Sequence, residues 1–351
     1  MTAIAPTLDL AALQRYLDGR VELAGPLTAH LLAGGKSNLS FAVDDGTHTW
    51  VLRRPPLGPT LATAHDMGRE YRVQAALADS VVPVPEMVLL CLETDVLGAP
   101  FYLMERRPGR AIRDLSAMAW PPDQVTAVAD RMVDILADLH AIDPNSVGLR
   151  DFGRPENYNA RQLDRWARQL AASRTGDIPL LDDLLQQLGS TVPGSPEPTV
   201  VHGDYRLDNL LVESGDPAVP PTVSAVLDWE MSTLGDPLGD LALFLLYSSR
   251  SLPGITGDEI GSAVAAVDVP GHPSVADIID RYARRSGNDV GDLRWYRSFG
   301  AFKLAAICQG VHHRYLHGGY GDTPNFADIG HLVNPLVAEA LALLDDTEEL
   351  H

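Results

Sequence analysis

The sequence predicts an α+β chain in two parts, a small β-rich N-terminal part and a larger helical C-terminal part. Three observations carry this. Short strand-like runs separated by turn signals fill much of the first hundred residues. Arg107-Pro108-Gly109 then interrupts the chain, and beyond it apolar residues recur mainly at helical spacing. Three short β-like runs are embedded in that helical part, around residues 199–227.

Asp9 can cap a helix over Leu10–Asp18 that ends at Gly19. Leu39–Val43 and His48–Arg53 read as strands joined by Asp44-Asp45-Gly46, a strong hairpin signal, and Pro55-Pro56 stops the second strand. Leu61–Ala78 carries Leu61, Ala64, Met67, Tyr71, Ala75 and Leu77 at roughly helical spacing. Val84–Leu90 and Phe101–Glu105 are two more strands. After the Pro-Gly turn, Asp123–His140 shows an apolar stripe of Val125, Val128, Met132, Ile135, Leu136 and Leu139. Helices follow near Asn159–Ala172 and Leu180–Leu188, then a proline-rich loop over Thr191–Pro198. The embedded β runs are Thr199–Val201, Asn209–Val212 and Val223–Leu227. From Leu238 the chain is mostly helical, near Ala276–Arg285, Leu293–Tyr315 and Phe326–Leu344. The boundary falls near residues 105–110, dividing the chain into 1–106 and 107–351, with no internal repeat.

Composition narrows the function classes. With 27 basic and 47 acidic residues the formal charge is −20, which argues against a dedicated nucleic-acid binder. A local basic pocket for a phosphorylated ligand stays possible in such a chain. Lys36 and Lys303 are its only lysines; every other basic residue is arginine. Cys91 and Cys308 supply neither a disulfide framework nor a zinc set. The start lacks the basic and apolar regions of a signal peptide. The apolar run Leu241–Tyr247 is far short of the roughly 20 residues that span a bilayer. The expectation is a cytoplasmic protein that engages neither membrane nor nucleic acid, of undetermined oligomeric state.

The most informative segment is Val200-Val201-His202-Gly203-Asp204-Tyr205-Arg206-Leu207-Asp208-Asn209. An apolar run enters a loop holding His202, Asp204 and Asn209, and another leaves it. The third β run then delivers Leu227-Asp228-Trp229-Glu230. Two carboxylates and an amide oxygen are thus presented at the ends of short strands, a set that phosphoryl transfer from a nucleotide requires. One carboxylate accepts the proton of the attacking hydroxyl, while the amide oxygen and the other carboxylate hold Mg²⁺. The order His-x-Asp-x-x-x-x-Asn, followed by an Asp about twenty residues on, is that of protein-kinase-like enzymes. The opposing reading makes His202 and Asp208 loop hydrogen-bonders and Asp228 a strand-end cap.

With HGDYRLDN at 202–209, LDWE at 227–230 and GDPLGDLA at 235–242, the sequence resembles the aminoglycoside phosphotransferase family. The resemblance implies a bilobal protein-kinase-like fold with a nucleotide-binding lobe over 1–106 and a catalytic and substrate-binding lobe over 107–351. It implies ATP and Mg²⁺ as cofactors, Asp204 as catalytic base, and Asn209 and Asp228 as metal ligands. On the nucleotide side, Gly34, Gly35, Lys36 and Ser37 precede the first expected strand of the hairpin, where a glycine-containing loop could cover phosphates. Taken alone, that segment reads as a plain turn.

Protein kinases place a lysine on the next strand, paired with a helical Glu. Here the strand reads Trp50-Val51-Leu52-Arg53-Arg54, so Arg53 is the candidate cation and a departure from the pattern. Arginine keeps the charge and can engage phosphate bidentately, but it places that charge elsewhere. Glu70 fits the helical partner; otherwise it is an exposed helix Glu beside a neighbouring Arg. Met104, Glu105 and Arg106 close the expected hinge, whose backbone would hydrogen-bond adenine.

Asp240 is expected to cap the helix that follows it, the alternative being a brace for the Asp204 loop. Arg161, Arg165 and Arg168 share one helical face, usually solvated, which could also meet an anionic substrate. His312 and His313 read as ordinary helix residues. The pieces GGKSNLSFAV, VLRRPPLG and HDMGREYRV look closest to the kinase-like region attached to some acyl-CoA dehydrogenases. That similarity favours a small-molecule hydroxyl acceptor that is a metabolite or hydroxyacyl thioester over an aminoglycoside. A pseudokinase that binds nucleotide without turnover is the alternative, and a protein kinase is weaker still.

Overall fold

The computed structural model describes residues 8–32, 38–57, 66–113, 115–194, 197–214, 219–248, 269–291, 293–318 and 329–345. Two compact units emerge: one takes in 1–108 together with Ser224–Ser232, the other 109–223 together with 233–351. The segment bearing Asp228 therefore groups with the N-terminal unit, although it lies far along the chain.

The first unit is built on a five-stranded antiparallel sheet in the order β1 (Thr28–Leu31), β2 (Leu39–Asp44), β3 (Thr49–Arg54), β5 (Phe101–Glu105), β4 (Met87–Cys91). Strand alternation sorts its side chains onto two faces. Phe41, Val43, Trp50, Leu52, Phe101 and Leu103 point to one, where Leu13 and Leu17 of helix α1 (Leu10–Leu17) complete a core. Val51, Tyr102 and Met104 point to the other and pack with Met67 of helix α2 (Met67–Leu77). Register pairs Leu52 with Leu103 and Arg53 with Tyr102, so Arg53 follows Val51 onto the α2 face. That placement results from the two-residue period alone.

Asp9 and Asp66 cap α1 and α2, accepting from the backbone N–H groups of Ala12 and Arg69. The hairpin loop is wider than its Asp-Asp-Gly signal implies, because Asp45 folds back to accept from the N–H groups of Thr47 and His48. β4 begins at Met87 and not at Val84, since Pro83 and Pro85 cannot donate to a ladder. β1 was not expected: its side chains are mostly exposed, so it carries no apolar alternation. Residues 58–65, the start of the expected helix over Leu61–Ala78, lie outside the described residues.

The second unit is mainly helical: α3 (Pro122–His140), α4 (Tyr158–Ser173), α5 (Leu181–Ser190), α6 (Pro237–Tyr247), α7 (Val275–Ser286), α8 (Arg294–Leu316) and α9 (Val333–Asp345). The long helix α8 buries both aromatic and small residues, Trp295, Phe299, Gly300, Ala301 and Phe302 among them. α3 and α7 are joined by Arg281, which bonds Asp130 and Asp134, and by Arg285, which bonds Asp138. Two short ladders complete this unit. β6 (Arg110–Ala111) pairs with β8 (Leu210–Glu213), and β7 (Thr199–Val201) with β10 (Thr233–Gly235). Strand β9 (Thr222–Val226) then carries the chain back toward the Asp228 segment. Among the described residues, no helix is long and apolar enough to cross a membrane.

Candidate active site

The loop after β7 is fixed by its own backbone. His202 is fully buried, and Gly203 adopts a φ of +85°, a conformation that a side chain would strain. The buried carboxylate of Asp240 accepts from His202 N–H at 2.5 Å and from Gly203 N–H at 2.8 Å. Asp240 thus braces the loop and does not cap α6. The cap is Asp236, whose Oδ1 accepts from Leu238 N–H at 3.0 Å while Oδ2 accepts from Asn159 and Tyr296, each at 2.7 Å. The two aspartates are four positions apart, so both occupy one side of the first helical turn.

Behind Asp240 stands His140, with Nε2 at 3.4 Å from its carboxylate and Nδ1 at 2.7 Å from the Tyr282 hydroxyl. Burial alone would raise the pKa of Asp240. The His140 contact and the loop N–H of Gly203 more than offset it and hold the carboxylate below its usual range. Asp204 is half-buried, and its N–H donates to His202 Nδ1 at 3.3 Å. Asn209 donates from Nδ2 to the Asp204 carbonyl at 2.9 Å and to the Asp204 carboxylate at 3.2 Å. The amide nitrogen is thus directed at Asp204, and the Asn209 amide oxygen keeps its capacity as an acceptor. Asp208, by contrast, is paired with Arg206 inside the loop.

A second constellation lies within the first unit. Arg53 Nε is 3.1 Å from Glu70 Oε1, and the other end of the guanidinium meets Asp228 Oδ1. Glu70 is almost fully buried on α2, and among the described residues neither of its oxygens nor Arg53 Nε has an aligned hydrogen bond. Burial pushes the Glu70 pKa up to about 7, against the pull of Arg53. Burial works against the Arg53 charge too, but Glu70, Tyr102 and Asp228 raise its pKa above the ordinary value. Asp228 sits at φ +67°, in the left-handed region that non-glycine residues enter at a cost. Trp229 beside it is a core residue, fully buried and donating to the Val226 carbonyl. Glu230 accepts from Asn38 at 3.3 Å.

The remaining candidates divide. Gly34, Gly35, Lys36 and Ser37 lie outside the described residues. Met104 is buried on the α2 face, Glu105 ends β5 and bonds Arg107, and the Arg106 side chain is exposed. Arg161 and Arg168 are tied to backbone carbonyls and to Asp164, whereas Arg165 lies 5.7 Å from the Trp166 ring centroid. His313 stacks on His317 at 4.2 Å. The sequence assigns no site role to two residues that hold the loop: His140, which ends an apolar stripe like any polar helix terminus, and Lys303, which donates to the Gly203 carbonyl at 2.8 Å. The scarcity of lysine was the one available signal for the latter.

The sequence model of the phosphotransferase enzyme family matches residues 28–278. The chain belongs to that family. Curated relatives of this phosphotransferase-family chain include acyl-CoA dehydrogenase family member 11 of Pongo abelii, 35% identical over 345 residues. That match covers 95% of the chain but only 43% of the relative, so the chain spans less than half of the curated protein. A crystal structure from Ralstonia eutropha JMP134, provisionally named an aminoglycoside phosphotransferase, is 35% identical with a TM-score of 0.83. The match covers 97% of this chain and 99% of that one. A thermostable mutant of aminoglycoside phosphotransferase APH(4)-Ia, solved with AMP-PNP and hygromycin B, shares the fold with a TM-score of 0.54 at 16% identity. It covers 93% of this chain and 98% of its own. The expected fold class, a β-rich N-terminal region with a larger helical C-terminal region, is the one observed, and the N-terminal sheet is antiparallel.

Proposed function

We propose that this chain transfers the γ-phosphoryl group of ATP to a hydroxyl of a small molecule, with Asp204 accepting the hydroxyl proton. The observation that supports this most is the braced loop. Asp240 and Lys303 hold the backbone of Gly203, and Asn209 holds Asp204, so a half-buried carboxylate is presented without freedom to turn. Such positioning, with electrostatics, is most of what phosphoryl transfer asks of a protein.

The donor set suits magnesium. The amide oxygen of Asn209 and the carboxylate of Asp228 are each a hard oxygen donor of the kind the ion takes, and these are the residues that would hold it. When bound, the ion neutralises charge on the phosphates. Arg53, with Lys36, offsets the negative charge of the nucleotide, and Glu70 orients Arg53. The acceptor favoured is a metabolite or a hydroxyacyl thioester over an aminoglycoside. The support is similarity to acyl-CoA dehydrogenase family members along nearly the whole chain.

ADP release across a panel of hydroxylated metabolites, hydroxyacyl thioesters and aminoglycosides tests the reading. Asp204→Ala should lose a factor of about 10²–10⁴ on the best acceptor, the usual contribution of a general base. Full turnover by that variant would remove the base assignment. One observation favours a second reading, a nucleotide-binding module without turnover: the arginine in place of lysine is already paired with Asp228, the expected metal ligand. A magnesium-dependent rise in Tm with ATP, but no ADP release with any acceptor, would favour that module.

A further inference from the structure

Lys303 has an unusual environment. It lies in α8, partly buried, and its ammonium is 5.6 Å from the centroid of the Trp166 ring. Its hydrogen bond goes to the neutral carbonyl of Gly203, at 2.8 Å, and among the described residues it forms no direct ion pair. Desolvation lowers its pKa, and the charges of Asp204 and Asp240 work in the opposite direction. A cation partly withdrawn from water and bonded to a neutral carbonyl is costly unless its charge and its donor serve something nearby.

The atom it holds is informative. The Gly203 carbonyl belongs to the peptide unit that leads into Asp204. The N–H of that same unit donates to His202 Nδ1 at 3.3 Å, and the preceding N–H is held by Asp240 at 2.8 Å. Gly203, at φ +85°, is the residue about which this peptide would otherwise swing. Asp240 from α6 fixes one side of Gly203 and Lys303 from α8 fixes the other. We propose that Lys303 is a positioning residue for Asp204: it pins the peptide plane from which the carboxylate projects and supplies the positive charge that offsets it. A function for Lys303 in catalysis rests on the phosphotransferase reading above; its coupling to Asp204 does not.

Two measurements test this. The first is steady-state ADP release from Mg·ATP, with water as acceptor where no better one is known. Lys303→Met is expected to lower kcat about 100-fold, the effect of a displacement near 1 Å, with KM for ATP unchanged. Lys303→Arg, keeping a donor and the charge, should retain more activity than Met. In an Asp204→Asn background, Lys303→Met should cost nothing further, because the two act as a unit. An unchanged kcat, or an equal loss in both backgrounds, overturns the proposal.

The second measurement needs no turnover. With only two lysines, ¹³C-lysine labelling yields two Cε signals, and Lys303→Met identifies one of them. Asp204→Asn, at unchanged Tm, should move the Lys303 signal and leave that of Lys36. A stationary Lys303 signal overturns the coupling. Wild-type protein that releases no ADP would instead bring down the phosphotransferase reading, with the lysine spectrum still deciding whether Lys303 and Asp204 are coupled.

Discussion

The two constellations are held together by opposite means. Around Asp204, charge is met by aligned hydrogen bonds: backbone N–H groups reach Asp240, an amide reaches Asp204, and an ammonium reaches a carbonyl. Around Arg53, charge is met mainly by charge. Glu70 and Asp228 flank one guanidinium, and among the described residues the buried Glu70 oxygens lack aligned donors. A hydrogen-bonded network specifies one geometry, because each bond is directional. An ion cluster short of hydrogen bonds tolerates rearrangement and responds to added charge. The loop is thus held in one geometry by directional bonds, and the Arg53 group is held mainly by charge.

The largest effect should come from breaking the first network. Asp240→Ala leaves two loop N–H groups and His140 without their acceptor, and should cost about 3–5 kcal/mol. Urea denaturation measures this, and a loss within error of zero would show that the loop does not depend on Asp240. Arg53→Met should cost less, about 2–3 kcal/mol at pH 8, because Glu70 can escape isolation by taking up a proton. The same variant should be closer to wild type at pH 6. Equal losses at the two pH values would contradict the account of Glu70.

Wild-type stability should itself show this group. The folded-state pKa of Glu70, about 7, lies above its unfolded value of 4.5, so the folded protein binds that proton more tightly. Its contribution is full below about pH 4.5 and is lost as pH rises through about 7, a fall of roughly 3–4 kcal/mol. Glu70→Gln should flatten that segment of the stability–pH profile, and an unchanged slope would place the titration elsewhere. Smallest is Asp66→Ala, which removes the cap of the helix carrying Glu70. It should cost about 1 kcal/mol by thermal denaturation, with little pH dependence.

Much of this was legible from local patterns. Asp9 capping α1, the strand over Phe101–Glu105, the β7 run and the stripe of α3 follow from neighbouring residues alone. So does the placement of Arg53 opposite the core face, since side-chain direction alternates along a strand. Helix α7 was expected over Ala276–Arg285 and runs Val275–Ser286, its Ser274 capping box and Gly287 stop both being local signals.

What the tertiary structure decided are the partners that meet across long separations in sequence. Sequence spacing assigns Asp240 to a helix start as readily as to a loop brace, because both uses need a carboxylate at the same turn. Only packing of α6 beneath β7 brings it to His202 and Gly203. The edge strand β1 was invisible because an exposed strand needs no apolar pattern. Asp228 joins Arg53 across 175 residues, and Lys303 reaches Gly203 across 100. No periodicity records such pairings. By itself the sequence determined which family motifs the chain carries, because a motif is read from residue identity and spacing along the chain. The structure decided what holds those motif residues in place, because an electrostatic or hydrogen-bonded contact depends on distance in space, which the linear order of residues does not encode.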